Sequence, residues 1–102
     1  FEVEGDFSKA NECNCSHCSR KGYLLVFVPR DALALKTPED AMATYRFNRH
    51  VIDHHFCPNC GCAPFSSGRD PKGQAVAAVN LRCIEGIDLA KVERIPVDGR
   101  SF

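Results

Sequence analysis

Apolar residues fall along this chain in short runs with strand-like spacing. FEVEG, residues 1–5, sets Phe1 and Val3 against Glu2 and Glu4 and breaks at Gly5, which predicts a half-buried strand. YLLVFV, residues 23–28, is β-branched and aromatic, ends at Pro29 and predicts a buried strand. Residues 43–57 alternate at Tyr45 and Phe47 and resume at Val51, with Asn48-Arg49 between. They predict two strands joined by a tight turn, the second ending at Cys57. AVAAVNLRCI, residues 75–84, is strand-like, and Arg94 to Val97 predicts a last short strand.

The segments between are polar or rich in turn formers. Asp6 to Glu12 is expected to be a connection. Residues 13–18 hold Asn and Ser, which bond their own backbone and favour turns. Residues 31–35 fit a turn of helix or a strand equally well. Thr37-Pro38-Glu39-Asp40 resembles a helix cap with Pro at the first helical position, before a helix of only a few residues. Residues 66–73 predict a polar surface loop, Glu85-Gly86 a turn, and residues 88–92 one or two helical turns. No βαβ rhythm, Gly-rich phosphate loop or heptad is present. The expectation is one small, mainly β domain over residues 1–102, with its chemistry in the loops.

Charge narrows the partners. Thirteen basic residues balance thirteen acidic ones, so no general attraction to nucleic acid or an anionic membrane is expected. The longest apolar run, residues 23–29, is far too short to cross a bilayer. No signal peptide is visible in a chain that does not begin with Met.

Seven cysteines change the picture, because an odd number cannot close into disulfides without a remainder. Their short spacings are those of metal sites, and such thiols survive best in a reducing compartment, so a cytoplasmic location is expected. A secreted disulfide scaffold is the rival. Cys57-Pro58-Asn59-Cys60-Gly61 has the shape of a zinc knuckle, in which two thiolates can share a tetrahedral ion if two more ligands come from elsewhere. Cys13-Asn14-Cys15-Ser16-His17-Cys18 allows two readings. In one, Cys15 and Cys18 join Cys57 and Cys60 in a closed four-thiolate site and Cys13 is left over. In the other, Cys13, Cys15 and Cys18 hold their own ion and leave one position open, the pattern of a catalytic zinc.

Other candidates surround these clusters. His17 is a possible fourth ligand or a solvated loop residue, the latter favoured. His54 and His55 lie at the end of a strand, so at most one faces a site, where it would bond a thiolate or move a proton. Cys62 reads as a spare thiol packed as a small apolar residue, and Cys83 as a strand residue in the core. Arg20 and Lys21 stand beside the first cluster and suit the carboxylate of an anionic thiol, with a solvated charge pair as the plain reading. Arg69 and Arg82 fit the same role less well. Ser16 and Asn14 are expected to shape the loop or bond sulfur. Tyr45, Phe47, Phe56 and Phe65 are expected in the core, without the basic stripe of a base-stacking platform.

CNCSHCSRKG, Tyr45-Arg46-Phe47, HFCPNCG at 55–61, Val79 to Cys83 and Val97-Asp98-Gly99 occur in one order over nearly the whole chain. In this the sequence resembles the glutathione-dependent formaldehyde-activating enzyme family, which includes centromere protein V-like proteins. The resemblance implies a largely β, Mss4-like zinc domain with two metal sites. Cys13, Cys15 and Cys18 would hold the catalytic zinc. Cys57 and Cys60 would hold a structural zinc together with a C-x-C-G segment that usually precedes the first strand. Here that segment is expected to lie upstream of Phe1.

The implied function is a zinc-dependent carbon–sulfur lyase acting on glutathione or a similar thiol and a small aldehyde, in the class that forms and breaks S-hydroxymethylglutathione. The alternative is a non-enzymatic zinc-binding scaffold or protein-interaction domain. A nucleic-acid binder is disfavoured by the neutral charge.

Overall fold

The computed structural model describes residues 1–37, 41–47 and 52–101. Among these residues, nine strands and one short helix follow in chain order: β1 (Glu2–Val3), β2 (Lys9–Cys13), α1 (Ser16–Lys21), β3 (Leu25–Pro29), β4 (Leu33–Ala34), β5 (Ala43–Tyr45), β6 (Asp53–Phe56), β7 (Phe65–Arg69), β8 (Ala75–Asn80) and β9 (Glu93–Val97). Seven form one sheet in the order β5-β6-β7-β8-β3-β2-β9, and β1 pairs with β4 in a second, two-stranded sheet. The fold is mainly β, as expected. The large sheet is antiparallel except at β2–β9, where Lys9 to Cys13 run parallel beside Glu93 to Val97.

Strand alternation divides the large sheet into two faces. Leu24, Val26 and Val28 from around β3, Phe65 at the start of β7, and Ala77 and Val79 of β8 meet in the main core with Ala10, Leu33 and Leu81. The intervening residues turn to the opposite face, where Tyr23, Leu25 and Ala78 pack with Cys18 and the partly buried Cys13, Cys15 and Ala63. The cysteine cluster is therefore built onto the second face of the sheet, with the main core beneath it.

Several expectations need correction. Asp6 to Glu12 is not simply a connection, since Lys9 onward is strand. Its one fully buried side chain is Ala10, and its ladder runs to β9, far along the chain. The turn-rich stretch around the first cysteines contains α1, and half of the expected polar loop is strand β7. Ser66 and Ser67 lie within the sheet, where they meet the rings of His54 and His55. Residues 31–35 contain both alternatives, a 3-10 turn at Arg30–Ala32 followed by β4. The strand at β8 ends at Asn80, and Cys83 belongs to a 3-10 turn instead. The expected turn at Asn48-Arg49 and the cap at Pro38 lie outside the described residues. β5 and β6 on either side of the former do pair antiparallel, with Tyr45 opposite His54.

Candidate metal centre

β2 ends at Cys13, the chain turns through Asn14, and Cys15 becomes the N-cap of α1. Cys15 has extended backbone angles and its sulfur accepts the Cys18 amide N–H at 3.3 Å, so a thiol does the work usually done by a Ser or Asp oxygen. The Cys15 amide in turn lies 3.5 Å from Cys13 Sγ. One helical turn then brings Cys18 back beside Cys15. The helix stops at Gly22, whose φ of 69° is left-handed and whose N–H bonds Cys18 O at 2.9 Å. Arg82 secures this end by donating from Nε to Gly22 O at 2.7 Å.

The result is a set of three sulfurs, Cys13, Cys15 and Cys18, all within 4.8 Å of one another. Among the described residues it is the group of three or more ligand-type side chains that meets this distance. Cys57 and Cys60 are not part of it, so Cys15 and Cys18 keep company with Cys13 and not with the knuckle. Burial raises the Cys15 thiol, but the Cys18 N–H, the thiols of Cys18 and Cys13 and lastly the His17 N–H outweigh this and leave it below its ordinary value. Cys18 is pushed well up, by burial first and then by the neighbouring sulfurs of Cys15 and Cys13. Three crowded soft donors, with N–H groups aimed at two of them, suit a thiophilic cation such as zinc.

Aromatic rings flank the site. His17, on α1 between two of the cysteines, is no solvated loop residue. Its ring centre lies 5.4 Å from Tyr45, 5.2 Å from Phe47 and 4.6 Å from His54, and its Nε2 is 3.4 Å from the Tyr23 hydroxyl. Burial, and then the charge of Lys21, hold His17 below its ordinary pKa. His54 and His55 take opposite faces, as expected of neighbours in a strand. His54 turns toward His17 and bonds Ser66 Oγ at 3.1 Å, while His55 lies over Phe65 in the main core and bonds Thr44 and Ser67. Tyr45 is not a core residue: it is 48% exposed and stacks on Phe47 with 18° between the rings. Spacing alone could not reveal this cluster, because it joins α1, the segment just before β3, β5 with the residues after it, and β6.

The charged candidates are less committed. Arg20 bends back to bond Ser16 O at 2.9 Å, and Lys21 is exposed at the end of α1. Arg69 bonds Gly73 O within its own hairpin, away from any such role. Asn14 does not bond sulfur. Its amide donates to Asp98 Oδ1 at 2.9 Å and accepts from the Arg100 N–H at 2.9 Å.

The second cluster has a tight turn of its own. Cys57 N–H bonds Cys62 O at 2.9 Å and Gly61 N–H bonds Cys57 O at 2.8 Å, with Gly61 at φ 80°. Hydrogen bonds from the amides of Cys60 and Asn59 hold the Cys57 thiol below its ordinary value. Cys62 is exposed and not packed as a small apolar residue. Phe1, Cys57, Pro58 and Phe65 share the lining of one cavity of about 270 Å³.

The fold is thus a small β domain that gathers three cysteine thiols, at a strand end and a helix cap, in a cluster geometrically able to coordinate a metal. The family model described as "Glutathione-dependent formaldehyde-activating enzyme" matches residues 1–94, and the chain belongs to that family. It is also similar to a protein of Rhodobacter sphaeroides known from its crystal structure, at 25% identity and a TM-score of 0.77, covering 93% of this chain and 87% of that one.

Proposed function

We propose that Cys13, Cys15 and Cys18 hold a zinc ion, and that the protein is a carbon–sulfur lyase joining a thiol such as glutathione to a small aldehyde such as formaldehyde, and reversing that addition. What supports this reading is the convergence of the three sulfurs in a chain of this family. Three protein ligands leave a tetrahedral ion one position, and a zinc bound there would lower the pKa of an incoming thiol. In the addition, the thiol sulfur bonds to the aldehyde carbon, the C=O π pair moves onto oxygen, and that oxygen takes up a proton.

The chain's own residues have definite parts in this scheme. The Cys15 and Cys18 amides orient the sulfurs of Cys13 and Cys15. Buried Tyr23 and the ring of His17 occupy space beside the thiols that water would otherwise fill. Arg20 and Lys21, in the last turn of α1, supply the positive charge that attracts a thiol's carboxylate groups. Cys57 and Cys60 would hold a second, structural zinc in this reading if a C-x-C pair supplies the two remaining ligands.

The test is metal counting combined with ligand binding. Cys13→Ser is expected to remove one zinc per chain while circular dichroism shows the fold retained. With cobalt in place of zinc, glutathione is expected to shift the metal's visible spectrum, and the loaded protein to accelerate formaldehyde release from S-hydroxymethylglutathione. A metal-loaded protein whose spectrum responds to no small thiol would instead be a zinc scaffold.

A further inference from the structure

The loop following β9 lies directly against the thiol cluster. The parallel ladder between β2 and β9 ends with Cys13 opposite Val97, and Asn14 N–H extends it by bonding Val97 O at 3.0 Å. Beyond Val97 the chain turns through Asp98 and Gly99 and passes over Cys13. Gly99 approaches so closely that a Cβ built there would overlap Cys13 Sγ and come within 3.4 Å of Cys15 Cβ. Glycine is required here by space, since its backbone has no left-handed φ.

Asn14 fastens this loop from below. One side chain grips both sides of the turn, donating to Asp98 Oδ1 and accepting from Arg100 N–H, each at 2.9 Å. Asp98 is braced by Ser101, whose hydroxyl donates to Oδ2 at 2.6 Å. Cys13 Sγ is thus confined between the Cys15 amide and the Gly99 backbone. These loop residues lie beyond the 1–94 span matched by the family model.

We propose that Asn14, Asp98 and Gly99 form a clasp that positions Cys13 as a metal ligand, so that three residues which are not ligands set the metal affinity of the cluster. This rests on the reading that Cys13, Cys15 and Cys18 bind metal. A side chain at position 99 must displace the Cys13 sulfur or lift the loop, and either change separates Cys13 from Cys15 and Cys18. Loss of the Asn14 amide frees the loop without crowding the sulfur, so its effect has the same direction and a smaller size. Groups that orient ligands without touching the metal typically contribute ~10–100-fold to affinity.

The experiment compares the full chain with Gly99→Ala, Asn14→Ala and Cys13→Ser by zinc competition and by the thiolate-to-metal charge-transfer bands of the cobalt form. Gly99→Ala is expected to bind zinc at the cluster roughly ten-fold or more weaker and to give the cobalt spectrum of Cys13→Ser. Asn14→Asp sets two carboxylates against each other and is expected to weaken binding too. Adding Asp98→Asn exchanges donor and acceptor and is expected to restore it. A purely structural role would lower the melting temperature of Gly99→Ala and leave the affinity and the cobalt spectrum of its folded form unchanged, which would overturn the clasp.

Two further readouts keep the proposal exposed. If Gly99→Ala does not fold, the Asn14→Asp and Asp98→Asn exchange decides, and failure of rescue overturns the proposal. In metal-free protein, Cys13 is expected to alkylate several-fold faster in Asn14→Ala than in the parent, and equal rates would count against the clasp. A parent chain that binds metal unchanged by Cys13→Ser would instead remove the reading on which the clasp depends.

Discussion

The imidazole of His54 lies 4.6 Å, centre to centre, from that of His17, and only the latter stands among the cysteines. His54 is buried and bonds Ser66 Oγ on the neighbouring strand. Burial, and then the proximity of His17 and His55, bring its pKa down from 6.5 to about 4. A base whose folded pKa lies below its unfolded value makes the folded state bind fewer protons. Its neutral form then supports the fold fully above about pH 6.5, and the contribution is lost as pH falls toward 4. Because the ring is buried, the loss across this range is on the order of 2–3 kcal/mol. Urea unfolding at a series of pH values should show this slope in the parent and a flatter one in His54→Gln. Parallel slopes in the two proteins would remove His54 as the origin.

Gly22 closes α1 in a left-handed conformation, with its N–H on Cys18 O at 2.9 Å. A Cβ added there meets nothing within 4 Å, so the cost of Gly22→Ala is conformational and not steric. About 1 kcal/mol of stability should be lost, read as a shift in denaturation midpoint. Gly22→Asn should cost less, because Asn tolerates this region better than Ala does. Equal losses in the two variants would argue against backbone strain as the cause.

The sequence made some of this legible and hid the rest for physical reasons. YLLVFV and AVAAVN were readable because β3 and β8 lie mid-sheet and carry continuous apolar runs. The C-x-C-x-x-C spacing was readable because one turn of helix is enough to gather its sulfurs. β2 was hidden because Ala10 is its one buried residue and its parallel partner lies some eighty residues away. β7 was hidden because its polar residues face other polar groups: Ser66 bonds His54 and Ser67 bonds His55 across the ladder. The rings around His17 and the loop at Gly99 meet the cysteines only through the order of strands in the sheet, which alternation does not encode.

Two aromatic residues that look alike in sequence should behave very differently. Phe65 is 2% exposed in the main core and touches the rings of His55 and Phe1, so Phe65→Ala leaves a cavity. Its cost should be about 3–5 kcal/mol. Tyr45 keeps almost half its surface in solvent, and Tyr45→Ala should cost under about 1 kcal/mol. Chemical denaturation of both variants measures this difference directly, and similar losses would contradict the placement of Tyr45 at the surface.

Removing metal should expose a graded series of thiol reactivity. Alkylation proceeds through the thiolate and needs access, so pKa and burial act together. Cys57 is half-buried, and the amides of Cys60 and Asn59 favour its thiolate. Cys62 is exposed in the same turn. Cys18 is buried on the second face of the sheet, and burial together with the adjacent Cys15 and Cys13 disfavours its thiolate. In chelator-treated protein near pH 7, Cys57 and Cys62 should therefore label first and Cys18 last, by a time course read through peptide mass spectrometry. Labelling of Cys18 at the rate of Cys62 would mean that the second face opens when the metal is absent. Adding zinc back before the alkylating reagent should then protect Cys13, Cys15 and Cys18 together. Protection of Cys15 and Cys18 without Cys13 would favour their pairing with the Cys57 knuckle after all.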